Sequence, residues 1–233
     1  MMERLKISKR LQTAAELVKP GNRVADIGTD HGYLPVYLVK EGISSHVIAM
    51  DVRKGPLSKA EKNIADYGIS QQVDLRLSDG LVQLNAGEVD TITICGMGGR
   101  LMKQILMEGK EKLTDGMQLI LSPQSELAEF RIYLKNNYIH IMDEQMLEED
   151  HQYYVMMDCR YDELQQLAEE QYGKILLEKQ DPVLKNLLMR ELELNHRIMS
   201  KLQEMEEKQS VQDRCQNLKK EEAVIQKALS YYR

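Results

Sequence analysis

The stretch VADIGTDHGYL, residues 24–34, constrains the fold more than any other segment of the chain. Four residues with the character of a buried strand run into a tight turn at Gly28, and the pattern predicts a helix that opens near His31. In open α/β sheets, such a junction presents the N–H groups of the helix start at the carboxyl end of the strand, where these sheets bind ligands. The segment therefore predicts a pocket for a charged small molecule, although a junction of this kind can also be purely structural.

Strand-like and helix-like segments alternate over the first 160 residues, beginning with a helix over residues 7–18 that Ser8 could cap. Segments with strand character are residues 24–27, 46–50, 73–77, 89–95 and 117–121. Two more, 138–146 and 152–159, follow each other with only an acidic loop between them. The alternation predicts a parallel sheet, and the closing pair predicts an antiparallel hairpin at one edge. The expected fold class is α/β, with a seven-stranded sheet.

The pattern changes at about residue 161, where strand signals end. Apolar residues then repeat at spacings of four and three over residues 184–205 and again over 211–232, with a polar joint between them. Two helices of similar length predict an antiparallel, coiled-coil-like hairpin, and one continuous helix in an intermolecular coiled coil is the alternative. Glu191, Asn195 and Glu222 interrupt the apolar seams and favour the hairpin. We expect domains at residues 1–160 and 161–233, and a monomer is favoured.

Charge and cysteine content exclude several classes of protein. A net charge of −6 argues against nonspecific coating of nucleic acid but leaves room for a local basic face. The three cysteines are far apart and lack CxxC spacing, which indicates neither a disulfide framework nor a zinc site, so no metal is expected. The first residues are too charged for a signal peptide, and no apolar run approaches the ~20 residues of a membrane span. We expect a cytoplasmic protein that does not contact membranes.

Carboxylates stand at the ends of three successive predicted strands, at Asp26, Asp51 and Asp79. Asp51 is well placed to accept both hydroxyls of a ribose, and Asp79 could accept from the exocyclic amine of a purine. Asp26, with the turn at Gly28, would face the end of a ligand that carries an ammonium group. Each Asp alone could be a turn or cap residue, but three in register indicate a binding site.

The order DIG…D, IAMD and SDG resembles the S-adenosylmethionine-binding half of Class I (Rossmann-like) methyltransferases. A nicotinamide site would carry a full G-x-G-x-x-G, whereas here Gly28 and Gly32 are separated by three residues. DIGTDHGYLP, ICGMGG and the long helical tail together resemble the bacterial tRNA (adenine(22)-N1)-methyltransferase family, over essentially the whole chain. The resemblance implies methyl transfer to N1 of an adenine in the D-loop region of tRNA, and a helical C-terminal domain that helps to hold the RNA.

The segment after the fourth strand bears on which atom of the base is methylated. Enzymes that methylate exocyclic amines carry [DNS]-P-P-[YFW] there, whereas this chain has Cys95-Gly96-Met97-Gly98. Methylation of N6 is therefore disfavoured, and Cys95 lacks the flanking proline expected of a cysteine nucleophile. The expected cofactor-binding residues are Asp26, Gly28, His31, Gly32, Asp51, Val52, Asp79, Gly80, Gly96 and Met97.

Asp30 is the candidate catalytic residue. N1 of adenine already has a lone pair, so the enzyme must position it and stabilise the charge of the cationic product. Asp30 could accept from the N6 amine and take its proton, or it could be an N-cap of the following helix. An extruded adenine needs an aromatic surface, and with no Trp and one Phe a tyrosine must supply it. The expected substrate-binding residues are Arg10, Tyr33, Arg53, Gly98, Arg100 and Lys103.

Two other functions remain open from the residues. One is a methyltransferase of a small molecule, in which the helical tail is a dimerisation element or a lid. The other is a cofactor-binding regulatory protein or RNA chaperone without turnover.

Overall fold

Seven strands form the sheet of the first part of the chain. The computed structural model describes residues 7–204 and 209–232, and the chain divides into two units, Met1–Asp162 and Glu163–Arg233. The strands are β1 (Val24–Ile27), β2 (Val47–Asp51), β3 (Val73–Leu77), β4 (Thr91–Met97), β5 (Gln118–Pro123), β6 (Ile139–Glu149) and β7 (Gln152–Tyr161). Their order is β3-β2-β1-β4-β5-β7-β6. Strands β1 to β5 pair in parallel, whereas β7 is antiparallel to β5 and β6. The predicted seven-stranded α/β fold class is confirmed.

The strand order reverses between β1 and β4. The chain moves outwards from β1 through β2 to β3 and then returns to the other side of β1 to form β4. The helices that follow β1 and β4 therefore diverge to opposite faces of the sheet and leave a crevice at the carboxyl ends of these two strands. The turn at Gly28 lies at this crevice.

Helices cover both faces of the sheet. They are α1 (Lys9–Leu17), α2 (Tyr33–Lys40), α3 (Lys54–Asp66), α4 (Gly99–Glu108) and α5 (Leu127–Asn136), with a short 3₁₀ turn at Lys110–Lys112. Ala25 and Ile27 pack with α4 and α5, whereas Val24 packs with the first three helices. Because successive side chains point to opposite faces and both faces are covered, every residue of β1 and β2 is buried.

Several boundaries differ from the sequence-based expectation, most by one or two residues. Helix α2 begins at Tyr33 and not near His31, because Gly32 precedes it in the left-handed conformation. Strand β4 continues past Cys95, since its pairing with β5 extends to Met97. The predicted acidic loop is also wrong in its bounds, because β6 runs to Glu149 and the turn consists of the next two residues.

The second unit consists of helices alone among its described residues. They are α6 (Glu163–Tyr172), α7 (Lys174–Glu178), α8 (Pro182–Gln203) and α9 (Gln209–Leu229), with a 3₁₀ turn at Ser230–Tyr232. Asp181 caps α8 by accepting from the N–H groups of its first turn. His196 lies 3.1 Å from Glu222, and the hydroxyl of Tyr232 donates to the carbonyl of Asp181, so α8 and α9 run antiparallel within one chain. Helices α6 and α7, which pack on this pair, were not predicted.

Candidate functional site

A cavity of about 500 Å³ opens where the strand order reverses. Parts of β1, β2 and β4 form its floor, and the segment that joins β1 to α2 forms one wall. The expected site residues that line it are Arg10, Asp26, Gly28, Asp30, Tyr33, Asp51, Arg53, Gly96 and Met97. The structure thus gathers these residues from four separate segments of the chain, which is the arrangement of a small-molecule site in an open sheet.

Gly28 makes the turn at the end of β1, where both space and backbone conformation require a glycine. Its φ is +78°, and its N–H donates to the carbonyl of Met50 over 2.8 Å. A Cβ at this position would lie 2.1 Å from Cε of Met97, so the absence of a side chain lets Met97 reach across the crevice. The turn and the end of β4 therefore meet above the sheet.

Asp26 contributes a buried carboxyl group to the cavity, with only 6% of the residue exposed. The Thr93 hydroxyl donates to Oδ1 of Asp26 over 2.8 Å. Burial raises the pKa of Asp26 to about 6, and the nearby Asp51 adds to the rise, whereas the bond from Thr93 opposes it. At neutral pH the group is still mostly ionised, so a cation that enters the cavity meets a poorly solvated negative charge.

Asp51 supplies a second buried carboxylate at the end of β2, with 5% exposed. Its Oδ1 accepts from the backbone N–H of Arg53 over 2.7 Å, and the Arg53 guanidinium Nε lies 3.6 Å away. The local turn therefore fixes the orientation of this carboxylate, which suits it to accept from ligand hydroxyl groups.

Cys95 lines the same cavity but is not activated. Burial and, to a smaller extent, the nearby Asp26 carboxylate together raise the pKa of its thiol to about 12. The thiol therefore stays protonated at neutral pH, which disfavours a role as nucleophile.

Another part of the cavity lining comes from β7 and from α1 with the residues that precede it. Arg10 lies with its guanidinium carbon 5.6 Å from the centre of the Tyr154 ring, and its Nε is 3.8 Å from Glu149. Ser8 and Met156 complete this part of the lining. Sequence reasoning found Arg10 from a cluster of basic residues. It missed Tyr154 and Met156, because only the pairing of β5 with β7 brings them to the site and no local motif marks them.

Asp30 and Tyr33 stand at the cavity wall on either side of His31. The Asp30 side chain is 73% exposed, and its Oδ1 lies 3.4 Å from Nε2 of His31. The Tyr33 and His31 rings stack with centroids 5.6 Å apart. Because Gly32 occupies the N-cap position of α2, the alternative in which Asp30 caps this helix is wrong.

Other expected site residues lie outside the cavity lining. Asp79 and Gly80 line a second hollow of about 270 Å³ beside α4. Val52 is 59% exposed, and Lys103 forms an ion pair with Glu126 over 3.5 Å. The remaining ones are His31, Gly32, Gly98 and Arg100.

Metal-binding groups and membrane-spanning helices are both absent from the described residues. Across residues 7–204 and 209–232, no three His, Cys, Asp or Glu side chains are grouped so that they could hold a metal ion. No helix within these same ranges combines the length and the apolar character that crossing a membrane requires.

A family model, a curated relative and two solved structures that are similar to this chain all represent methyltransferases. A family model described as a methyltransferase domain matches residues 7–157. A tRNA (adenine(22)-N(1))-methyltransferase of Bacillus subtilis is 37% identical over 199 residues, which is 82% of this chain and 84% of that protein. The crystal structure of the B. subtilis M1A22 tRNA methyltransferase TrmK is similar with a TM-score of 0.65 and 31% identity, covering 97% of this chain and 99% of that one. Streptococcus pneumoniae Sp1610 in complex with S-adenosyl-L-methionine has the same score and identity, covering 96% and 100%.

Proposed function

This chain belongs to the family of bacterial tRNA (adenine(22)-N1)-methyltransferases, within the wider methyltransferase domain family, and we propose that it performs that reaction. It transfers a methyl group from S-adenosylmethionine to N1 of adenine 22 in the D-loop region of tRNA. The observation that carries this conclusion is a likeness that spans both units of the chain, together with two buried carboxylates where the strand order reverses.

The residues of the cavity fit S-adenosylmethionine. The cofactor has a ribose, an ammonium group and a carboxylate, and the cavity offers a partner for each. Asp51 would accept from the ribose hydroxyls, Asp26 would hold the ammonium group, and Arg10 would hold the carboxylate. When bound, the cofactor supplies a methyl group on a cationic sulfur, which needs no further activation.

The protein's own part in the reaction is to place the base and to compensate its charge. The ring of Tyr33, which is 41% exposed at the cavity wall, offers a surface on which an extruded adenine can stack. Asp30 would accept from the N6 amino group, and its carboxylate would stabilise the positive charge that develops on the base as N1 is methylated. The proton of N6 can then pass to Asp30 or to water. In both cases Asp30 must accept a hydrogen bond from N6 and carry a negative charge beside the base.

The helical unit is proposed to hold the tRNA. One side of α8 buries Leu184 and Leu188, and a different side is exposed. The exposed stripe follows spacings of four and three and consists of Val183, Leu187, Arg190, Leu194, Arg197 and Lys201. Its cations could contact phosphates, and its apolar side chains could pack on sugars or unstacked bases. We further propose that the protein is a monomer. A cytoplasmic location is also proposed and accords with its three free cysteines.

Methyl transfer to defined tRNAs tests the proposal. The protein is incubated with labelled S-adenosylmethionine and an unmodified bacterial tRNA, and the product is digested to nucleosides. We expect N1-methyladenosine, lost when adenine 22 is changed and retained when another D-loop adenine is changed. Intact cofactor binding without transfer to any tRNA would contradict the proposal, and transfer to a small molecule instead would favour the alternative class of enzyme.

A further inference from the structure

His31 touches two residues of the cavity wall without lining the cavity itself. Its ring lies nearly parallel to that of Tyr33, with an interplanar angle of 7° and 5.6 Å between centroids. Its Nε2 is 3.4 Å from Oδ1 of Asp30. The residue directly before His31 and the second residue after it both face the cavity, so the imidazole forms a backing for the pair.

Helix α3 holds His31 in place. The side-chain amide of Asn63 donates to the His31 carbonyl over 2.8 Å. Nζ of Lys59 also lies 3.4 Å from Nε2, but an imidazole that donates from Nε2 to Asp30 has no lone pair there to accept from the ammonium group. At the next residue, Gly32, a Cβ would lie 3.1 Å from Cβ of Ala60, so the loop approaches the helix closely. His31 has a φ of +61°, which is unfavourable for a residue with a side chain and persists only where neighbouring contacts enforce it.

We infer that His31 is a positioning residue of the methyl-transfer site, an inference that rests on the proposed function. Its ring fixes the plane of Tyr33, and its Nε2 restrains the carboxylate of Asp30, so both are oriented before the adenine arrives. Without the contact to His31, the exposed side chain of Asp30 would rotate freely. The N6 amino group of the adenine would then have no fixed partner, and N1 would be poorly aligned with the methyl group. This role differs from the expected one of a cofactor ligand, which requires a place in the cavity lining.

Two substitutions at His31 separate its two contacts. His31→Asn removes the ring but suits the backbone, because Asn adopts the left-handed conformation readily. We expect kcat for tRNA methylation to fall about tenfold or more, with Kd for S-adenosylmethionine within about twofold of the original. We also expect KM for tRNA to rise in His31→Asn, because the stacking partner of Tyr33 is lost. His31→Phe keeps a ring that can stack on Tyr33 but cannot bond to Asp30, so KM for tRNA should stay closer to its original value while kcat stays low. His46→Asn is the matched control, since His46 precedes β2 at the end opposite Asp51 and lies 3.5 Å from Asp74.

A measurement without substrate completes the test. 3-Fluorotyrosine at position 33 gives a ¹⁹F resonance that senses the ring current of His31. The resonance should shift in His31→Asn and stay in place in His46→Asn. An unchanged resonance together with an unchanged kcat in His31→Asn would overturn the inference. A loss of affinity for S-adenosylmethionine that matches the loss of activity would also overturn it, because His31 would then be a cofactor ligand. If the original protein methylates no tRNA, the proposed function fails, whereas the ¹⁹F resonance still reports whether the ring of His31 lies against that of Tyr33.

Discussion

Replacing Asp26 by Asn should make the cofactor-free protein more stable at neutral pH. The folded chain raises the pKa of this buried carboxyl from 3.8 to about 6, chiefly through burial. The folded state therefore binds the proton more tightly than the unfolded state, and stability falls as pH rises through this range. The cost is absent below pH ~4 and complete above pH ~6, and a pKa difference of about 2 corresponds to about 3 kcal/mol.

Thermal unfolding of the full chain without cofactor, from pH 4 to pH 8, measures this cost. Asn keeps the acceptor that the Thr93 hydroxyl needs, so the substitution removes mainly the charge. The two proteins should unfold at similar temperatures near pH 4. At pH 7.5 the variant should be about 3 kcal/mol more stable, or about 6–12 °C for a unit of this size. Asp66→Asn, at an exposed carboxylate that ends α3, should change stability by less than about 0.5 kcal/mol.

The same substitution should weaken the binding of S-adenosylmethionine. Loss of a charge-assisted hydrogen bond to the ammonium group costs about 1.5–3 kcal/mol, or roughly 10- to 100-fold in Kd by titration calorimetry. For the original protein, affinity should also fall as pH drops below about 6, because Asp26 becomes neutral. A variant that is less stable than the original at pH 7.5, or a stability difference that does not vary with pH, would refute the account of the buried charge. Unchanged affinity would remove Asp26 from the cofactor site.

Three further predictions concern other parts of the site. Gly28→Ala should lower cofactor affinity by about tenfold or more and also reduce the melting temperature, because the new Cβ displaces Met97 into the cavity and strains a positive φ. Cys95→Ala should retain methyl transfer within a few-fold in steady-state kinetics, because its thiol is protonated at neutral pH, and a complete loss would revive covalent catalysis. Arg190→Glu combined with Lys201→Glu should weaken tRNA binding and lower the salt slope of log affinity by about 1–2, with cofactor affinity unchanged; an unaltered slope would place the RNA on another face.

Local patterns in the sequence were sufficient to predict the strands and the carboxylates that form the floor of the cavity. Short apolar segments followed by Asp or Gly predict strand ends, and β1 and β2 lie where these patterns placed them, with Asp26 and Asp51 at the cavity. The same argument did not place Asp79, which lies beside a different hollow. A strand-end carboxylate faces the shared pocket only if its strand is near the reversal point, and β3 is the outermost strand on its side.

The residues of the cavity lining that local patterns could not predict are brought there by strand pairing between distant parts of the chain. Tyr154 and Met156 reach the cavity because β7 inserts between β5 and β6, a choice of strand order that no residue of β7 reveals by itself. Helices α6 and α7 were missed for a different reason. They are short, and the regular apolar spacing that indicates long helices begins only with α8.

Two departures from the rules of stable folding lie within six residues of each other, and their proximity is itself an argument about function. Asp26 places a carboxylate where its strand neighbours are buried apolar residues, at a cost of about 3 kcal/mol when ionised. His31 adopts a left-handed conformation that costs about 1 kcal/mol or more. The sheet requires neither, since an apolar residue and a glycine would satisfy packing and backbone. In the proposed function, a bound ammonium group would offset the first cost, and an ordered pair of Asp30 and Tyr33 would be the gain from the second. The segment 26–31 should then be most stable when its ligands are bound.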